Sequence, residues 1–265
     1  MQSHLLLNEI RTKQPLIHHI TNWVTIFNCA QAVKSLGASP VMAHAPEEAT
    51  EITSISSALV LNIGTLTTDI IESMMISAEA AAKKKIPVVL DVCGAGASSM
   101  RNRSCMRLID SGNIGIIKGN ASEVSCIAGL EASTKGVDST EVSYNLPDVA
   151  KGLSEKLSCT VVITGKTDYV AGRGKLFVVE NGSGMMGQVV GTGCMAASMI
   201  GCFAAVMPHD LAIASAAGLS VWGIAGEMAA ERSGGAGSFL LHIYDILSSI
   251  SSDDIIHRQR IISPQ

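Results

Sequence analysis

An α/β fold, a mostly parallel sheet with helices on both faces, is what the sequence predicts, and three observations lead there. Apolar runs of strand length alternate with segments of helical character. Several of the runs are apolar throughout rather than at every second residue, as in strands covered on both sides. The chain has 265 residues, 47% of them hydrophobic, enough for one large core. A single domain over residues 1–265 is expected.

Strands are read at 16–20, 40–43, 58–63, 87–91, 114–118, 161–164 and 176–179, with the clearer helices at 23–36, 68–85, 146–157, 195–207, 211–231 and 238–247. The close spacing of 161–164 and 168–171, with 176–179 after them, predicts an antiparallel meander at one edge. No internal repeat, low-complexity tract or linker interrupts this order.

Composition excludes several functions. Charged residues are 16% of the chain, the formal net charge is −4, and aromatics are 3%. Nucleic-acid binding needs a basic face with exposed aromatics, and the Lys83-Lys84-Lys85 run reads as a solvated helix end. The seven cysteines form no Cys-x-x-Cys pair and their number is odd, which fits a reducing compartment. The start, Met1-Gln2-Ser3-His4 with Asn8, Glu9 and Arg11 close behind, lacks the pattern of a signal peptide. A cytoplasmic location is expected.

Residues 189–207 are uncharged over nearly the ~20 residues of a membrane helix. They open on Val189-Val190-Gly191-Thr192-Gly193, read as a strand end and a turn, and stop at Pro208. A second apolar helix, 211–226, follows. Both are read as helices buried against the sheet, not as membrane spans.

In an open α/β sheet, ligands bind beyond the carboxyl ends of the strands. Those ends read Asn22, Met42 with His44, Asn62-Ile63-Gly64-Thr65, Asp91 with Gly94-Ala95-Gly96, Lys118-Gly119-Asn120, Thr164-Gly165-Lys166, and Gly191-Thr192-Gly193-Cys194. Nearly all join a hydrogen-bonding side chain to a glycine, which places the candidate site along that edge.

Gly191-Thr192-Gly193-Cys194 precedes a long helix rich in small residues. Backbone N–H groups and the positive end of the helix dipole would make an anion site there, suited to a transferring phosphoryl group. The competing reading is an N-cap made by Thr192. A dinucleotide fingerprint is disfavoured because this helix comes late in the chain. Gly165-Lys166-Thr167 imitates a P-loop, but Thr160 stands where its first glycine belongs. Asp91 ends an apolar strand, where an ionised carboxylate requires a ligand or a cation. Asn120 and Glu123 match a capping box, the role favoured for Glu123 by these residues alone; the carboxylates of Asp91 and Glu123, on neighbouring strand ends, would also suit Mg²⁺ held among phosphates and water. No histidine spacing suggests zinc, no Gly-x-Ser-x-Gly elbow is present, and the glycines at 234–237 read as a turn between helices.

Taken in order, Pro15-Leu16-Ile17-His18-His19-Ile20-Thr21-Asn22, the segment from Gly37 to Glu48 around Met42, Leu59 to Leu66, Gly119 to Glu123, Thr164 to Val170, Val190 to Cys194 and Gly237-Ser238-Phe239 resemble the hydroxyethylthiazole kinase family. The resemblance runs from about Pro15 to Leu247. It implies a ribokinase-like, three-layer α/β/α fold, with ATP and Mg²⁺, and 4-methyl-5-(2-hydroxyethyl)thiazole as the alcohol phosphorylated in thiamine synthesis. It also implies a homo-oligomer, a trimer with the thiazole site between subunits.

By the same resemblance, Met42 contacts the thiazole, with Asn22, Gly64, Thr65 and Gly191 around it. Lys118, Thr164 and Gly193 lie on the ATP side, and Asp91 and Glu123 lie near the metal and phosphates. Cys194 occupies the place of the aspartate base of other ribokinase-like enzymes; the alternative is a small residue lining the anion hole. Three departures stand out: Val92-Cys93 where the family reads Pro-Val, His19 for Asn, and Lys118 for Arg, a point charge in place of a planar fork. Competing functions are another ribokinase-like vitamin kinase, a nucleotide-hydrate repair dehydratase, or a thiazole-binding sensor without transfer activity.

Overall fold

Residues 2–130 and 144–263 are described by a computed structural model of the chain. Nine strands form one sheet: β1 (Leu16–Ile20), β2 (Ser39–Val41), β3 (Ala58–Asn62), β4 (Val88–Asp91), β5 (Ile116–Asn120), β6 (Thr160–Thr164), β7 (Asp168–Gly172), β8 (Lys175–Val179) and β9 (Ile261–Ile262). Their spatial order is β2-β1-β3-β4-β5-β6-β7-β8-β9. Pairing is parallel from β2 to β6 and antiparallel from β6 to β9. The fold class and the edge meander stand as expected.

Parallel strands need crossover helices on both faces, and their side chains then alternate between two cores. Along β3, Leu59 and Leu61 face one core while Val60 faces the other. One layer holds α1 (Ser3–Lys13), α2 (Ile26–Leu36), α8 (Thr192–Val206), α9 (Leu211–Ala230) and α10 (Ala236–Ser249). The opposite layer holds α4 (Thr68–Lys84), α5 (Ser99–Asp110), α6 (Ala121–Ile127) and α7 (Leu146–Leu157). Two further helices, α3 (Pro46–Ile55) and α11 (Ser252–Arg258), complete the set among the described residues.

Helices α8 and α9 are buried almost all round, which explains why they carry no amphipathic stripe. By length and composition α9 would cross a membrane, but 78% of its apolar window is buried inside the protein.

Two sequence expectations need correction. No strand precedes Gly191: a 3-10 helix, Gly184–Gln188, leads into α8, which already starts at Thr192. The sequence reading also passed over α1, α3, α5 and α11. Their apolar faces are narrow, and α5 has a polar mean composition interrupted by three arginines.

The order of strands reverses between β1 and β3, because β2 lies outside β1 while β3 to β6 extend the other way. At such a switch point the loops diverge and leave a crevice at the carboxyl edge. Asn22 follows β1 and Gly64 follows β3, so both border it.

Candidate active site at the carboxyl edge

A continuous chain of buried polar groups crosses the crevice. Asn22 Nδ2 donates to Asn62 Oδ1 at 2.9 Å and lies 3.3 Å from Cys194 Sγ. The same Asn62 oxygen accepts from Gly64 N at 2.9 Å, and Asn62 Nδ2 donates to Asp91 Oδ2 at 2.8 Å. Lys118 Nζ reaches Asp91 Oδ1 at 3.3 Å and Oδ2 at 3.4 Å. Neither partner of this ion pair is more than 5% exposed. Burial works against both charges. For Lys118, nearby Asp91, Glu123 and Cys194 outweigh it and hold the ammonium above its ordinary pKa.

Glu123 completes the capping box expected from the sequence. Asn120 Oδ1 accepts from Glu123 N at 2.9 Å, and Glu123 Oε2 accepts from Asn120 N at 2.7 Å. Its other oxygen accepts from Gly94 N at 2.7 Å, which ties α6 to the loop after β4. Each oxygen of Asp91 and Glu123 therefore already accepts a hydrogen bond.

Above this network lies the start of α8. Gly191 is its N-cap at φ +94°, a left-handed backbone that favours glycine. A Cβ there would come within 2.5 Å of Thr25 Cγ2, so a side chain is also excluded by space. No side chain caps the helix. Thr192, the alternative cap, instead donates its hydroxyl to the carbonyls of Met186 at 2.8 Å and Val189 at 3.3 Å. The first-turn N–H groups thus have no side-chain cap, Gly193 among them is exposed, and a Cβ at that glycine would stand 3.3 Å from Lys118 Nζ. Open amide donors, a helix N-terminus and a buried ammonium converge on one spot. Such an arrangement is chemically suited to an anion.

Cys194 sits buried in the first turn of α8. Hydrogen bonding from the Cys93 thiol pulls its pKa down; burial opposes, and Lys118, Thr25 and Asn22 add to the pull, bringing it to about 5. Cys93, as the donor, is pushed upward by the same hydrogen bond and then by burial. The direction of these shifts favours the thiolate form of Cys194 at the start of α8.

The remaining candidates stand along the same edge. Thr65 Oγ1 accepts from Trp23 N at 3.0 Å, across the crevice. Thr164 Oγ1 donates to Gly119 O at 3.3 Å, beyond Lys118. Met42 follows β2, is half-buried, and packs on the core cluster that contains Cys194; no hydrogen bond joins it to the network. Gly165-Lys166-Thr167 is the β6–β7 turn, closed by Gly165 N donating to Asp168 Oδ1 at 2.9 Å, and is no P-loop. His19 Nε2 lies 3.0 Å from Ser198 Oγ on α8, and burial brings its pKa down to about 3, so it is a neutral structural group. Among the described residues, no three histidine, cysteine or carboxylate side chains cluster as metal ligands.

Sequence reasoning placed Asn62 at this edge but gave it no role, and it missed Thr25 and Arg101, whose guanidinium bonds the carbonyls of Ile63, Gly64 and Cys93 beside the crevice. Asn62 had a visible signal: it is the polar residue closing a wholly apolar strand. Thr25 and Arg101 act through contacts that no local pattern announces.

The profile described as the hydroxyethylthiazole kinase family matches residues 7–253. The hydroxyethylthiazole kinase of Methanosarcina mazei is 52% identical over 94% of this chain and 95% of its own. That of Clostridium beijerinckii is 45% identical over 97% of this chain and 95% of its own. A solved structure of a hydroxyethylthiazole kinase protein from Pyrococcus horikoshii superimposes with a TM-score of 0.91, at 35% identity over 99% of both chains. Pyridoxal kinase from Staphylococcus aureus reaches a TM-score of 0.64 at 12% identity, a likeness of ribokinase-like fold alone. With the open α8 terminus and its thiol in place, these similarities put the chain in the hydroxyethylthiazole kinase family.

Proposed function

We propose that the protein transfers the terminal phosphoryl group of ATP to the hydroxyl of 4-methyl-5-(2-hydroxyethyl)thiazole, in thiamine synthesis. The observation that carries this reading is the uncapped N-terminus of α8 with a depressed thiol in its first turn. The alcohol oxygen attacks the terminal phosphorus, the bond to the bridging oxygen breaks, and ADP leaves. The alcohol proton passes to the Cys194 thiolate. Such transfer has a loose transition state, so positioning and charge stabilisation dominate. Backbone N–H groups from Gly191 to Cys194 hold the phosphoryl oxygens. Lys118 supplies positive charge behind them, and Asn22 orients the thiol.

Lys118, Thr164 and Gly193 take the ATP side, while Met42, Gly64, Thr65, Asn22 and Gly191 take the thiazole side. Mg²⁺ neutralises phosphate charge in reactions of this class. The carboxylates fit it through water, since Asp91 and Glu123 already hold a hydrogen-bond donor on every oxygen.

The chain is proposed to act as one domain, in the cytoplasm, and as a trimer with the thiazole site between subunits. Trp23, Val24, Phe27 and Val190 are large apolar side chains more than half exposed, all on segments bordering the crevice. Covering them with a second copy would bury apolar surface next to the thiazole side.

The test is ADP release with Mg-ATP and the thiazole alcohol, with the phosphorylated product identified by mass, against pyridoxal as competitor. Product from the thiazole alcohol is expected. Turnover of pyridoxal in its place would sink the assignment, and a stable monomer by light scattering would remove the shared site.

A further inference from the structure

Arg101, in the first turn of α5, is the least explained charge near the site. Among the described residues its guanidinium meets no carboxylate. Nη1 donates to the carbonyl of Ile63 at 2.7 Å and to that of Cys93 at 2.9 Å. Nη2 donates to the carbonyl of Gly64 at 2.6 Å. Ile63 and Gly64 lead out of β3, whereas Cys93 and Gly94 lead out of β4, so one planar fork holds two separate loops.

The contacts on the far side of each loop explain why the fork matters. Gly64 N donates to Asn62, so that residue is gripped at its amide by Asn62 and at its carbonyl by Arg101. The peptide group joining Cys93 to Gly94 has the guanidinium on its carbonyl and the Glu123 carboxylate on its N–H. Both charges favour the same orientation of that dipole. Gly94 lies at φ +77°, and a Cβ there would approach Arg101 Nη1 to 2.8 Å, so the guanidinium rests directly against this glycine. One loop continues into Thr65 on the thiazole side. The other carries Cys93, whose side chain packs on the buried cluster that contains Cys194.

We infer that Arg101 is a positioning residue that clamps the alcohol-side loop at Ile63–Gly64 to the base-side loop at Cys93–Gly94, and so sets the distance between acceptor and base. This rests on the kinase reading of the site. A lysine would not replace it: an ammonium is a point charge on a flexible stem and cannot match a two-nitrogen fork that reaches three carbonyls on two loops.

The experiment compares Arg101→Ala, Arg101→Lys and, as a control on the exposed face of α5, Arg103→Ala. Both Arg101 variants should lose roughly 10- to 100-fold in kcat/KM for the thiazole alcohol, the scale set by small misplacements of reacting groups. The KM for ATP should change little, and Arg103→Ala should behave as wild type. Added guanidinium ion should restore part of the activity of Arg101→Ala but none to Arg101→Lys, whose ammonium fills the space. Hydrogen exchange should accelerate at the amides of 63–65 and 93–96 and stay unchanged elsewhere. Wild-type kinetics and exchange in Arg101→Ala would overturn the clamp, as would faster exchange throughout the molecule without guanidinium rescue. Localised exchange in a protein whose wild type fails to phosphorylate the alcohol would uphold the clamp and overturn the kinase reading.

Discussion

At the start of α6, Asn120 and Glu123 satisfy each other's backbone N–H groups; at the start of α8, Gly191 has no side chain to offer. Both helices begin at the same edge of the sheet, and both carry the unsatisfied donors and positive dipole end of any helix N-terminus. In α6 the sequence supplies internal acceptors, and Glu123 also ties down the loop after β4. In α8 the glycines withhold acceptors, and Thr192 turns its hydroxyl back to the preceding turn. The same backbone physics therefore gives a fastening at one helix and leaves an open N-terminus, proposed above as the phosphate receptor, at the other.

Closing α8 should produce the largest effect. In Gly193→Asp the new carboxylate would lie beside Lys118 Nζ, since a Cβ there is already 3.3 Å away. It would occupy the anion site, and turnover should fall by at least about 10³-fold, the scale of losing anion-stabilising donors. Thermal unfolding should change little. Turnover near wild type would show that phosphate binds elsewhere.

Removing the thiol while keeping α8 open should cost less. Cys194→Ala leaves every amide of the anion site in place and should slow turnover by ~10²-fold, the lower range for a general base in a loose transition state. Cys194→Asp should retain activity, because a carboxylate accepts the proton without needing a shifted pKa. Equal rates for wild type and Cys194→Ala would leave the thiol as pocket lining.

A smaller effect should appear in pH dependence. With Cys194 depressed to about 5, its thiolate and the rate should persist down to that region and be lost as pH falls through it. Cys93→Val removes the leading donor, so the Cys194 pKa rises and the acid limb of kcat moves to higher pH. Rates at high pH should match wild type. An unmoved limb would mean that Lys118 and the helix end suffice to hold the thiolate.

The smallest loss of activity belongs to opening α6. Asn120→Ala should lower unfolding stability by about 1 kcal/mol, the usual cost of an N-cap, with turnover nearly intact. A large loss of turnover with unchanged urea midpoint would move Asn120 from fastening to catalysis.

Much of this contrast was legible before folding. The Asn120–Glu123 box is local, because a helix brings residues three apart together wherever it forms. The fully apolar strands announced their double coverage, and the polar residue at each strand end marked the edge. Less legible was the path into α8: Val189-Val190 has strand character, yet a 3-10 turn leads to a helix that starts at Thr192. Tertiary packing overrode the local preference there. The choice between a Thr192 cap and an open anion site was likewise undecidable locally, since it depended on the carbonyls of Met186 and Val189.

What the sequence by itself determined, then, is whatever depends on neighbours along the chain: strand and helix periodicity, the capping box, and the glycines ahead of α8. Only the tertiary structure decided that Asn22 would meet Cys194 across 172 residues and that Arg101 would bind three carbonyls. It also decided that Lys118 would pair with Asp91 across adjacent strands. Contacts of that kind have no period to read. They exist because parallel crossovers return every strand end to one edge, where side chains distant in sequence satisfy each other's buried polar groups.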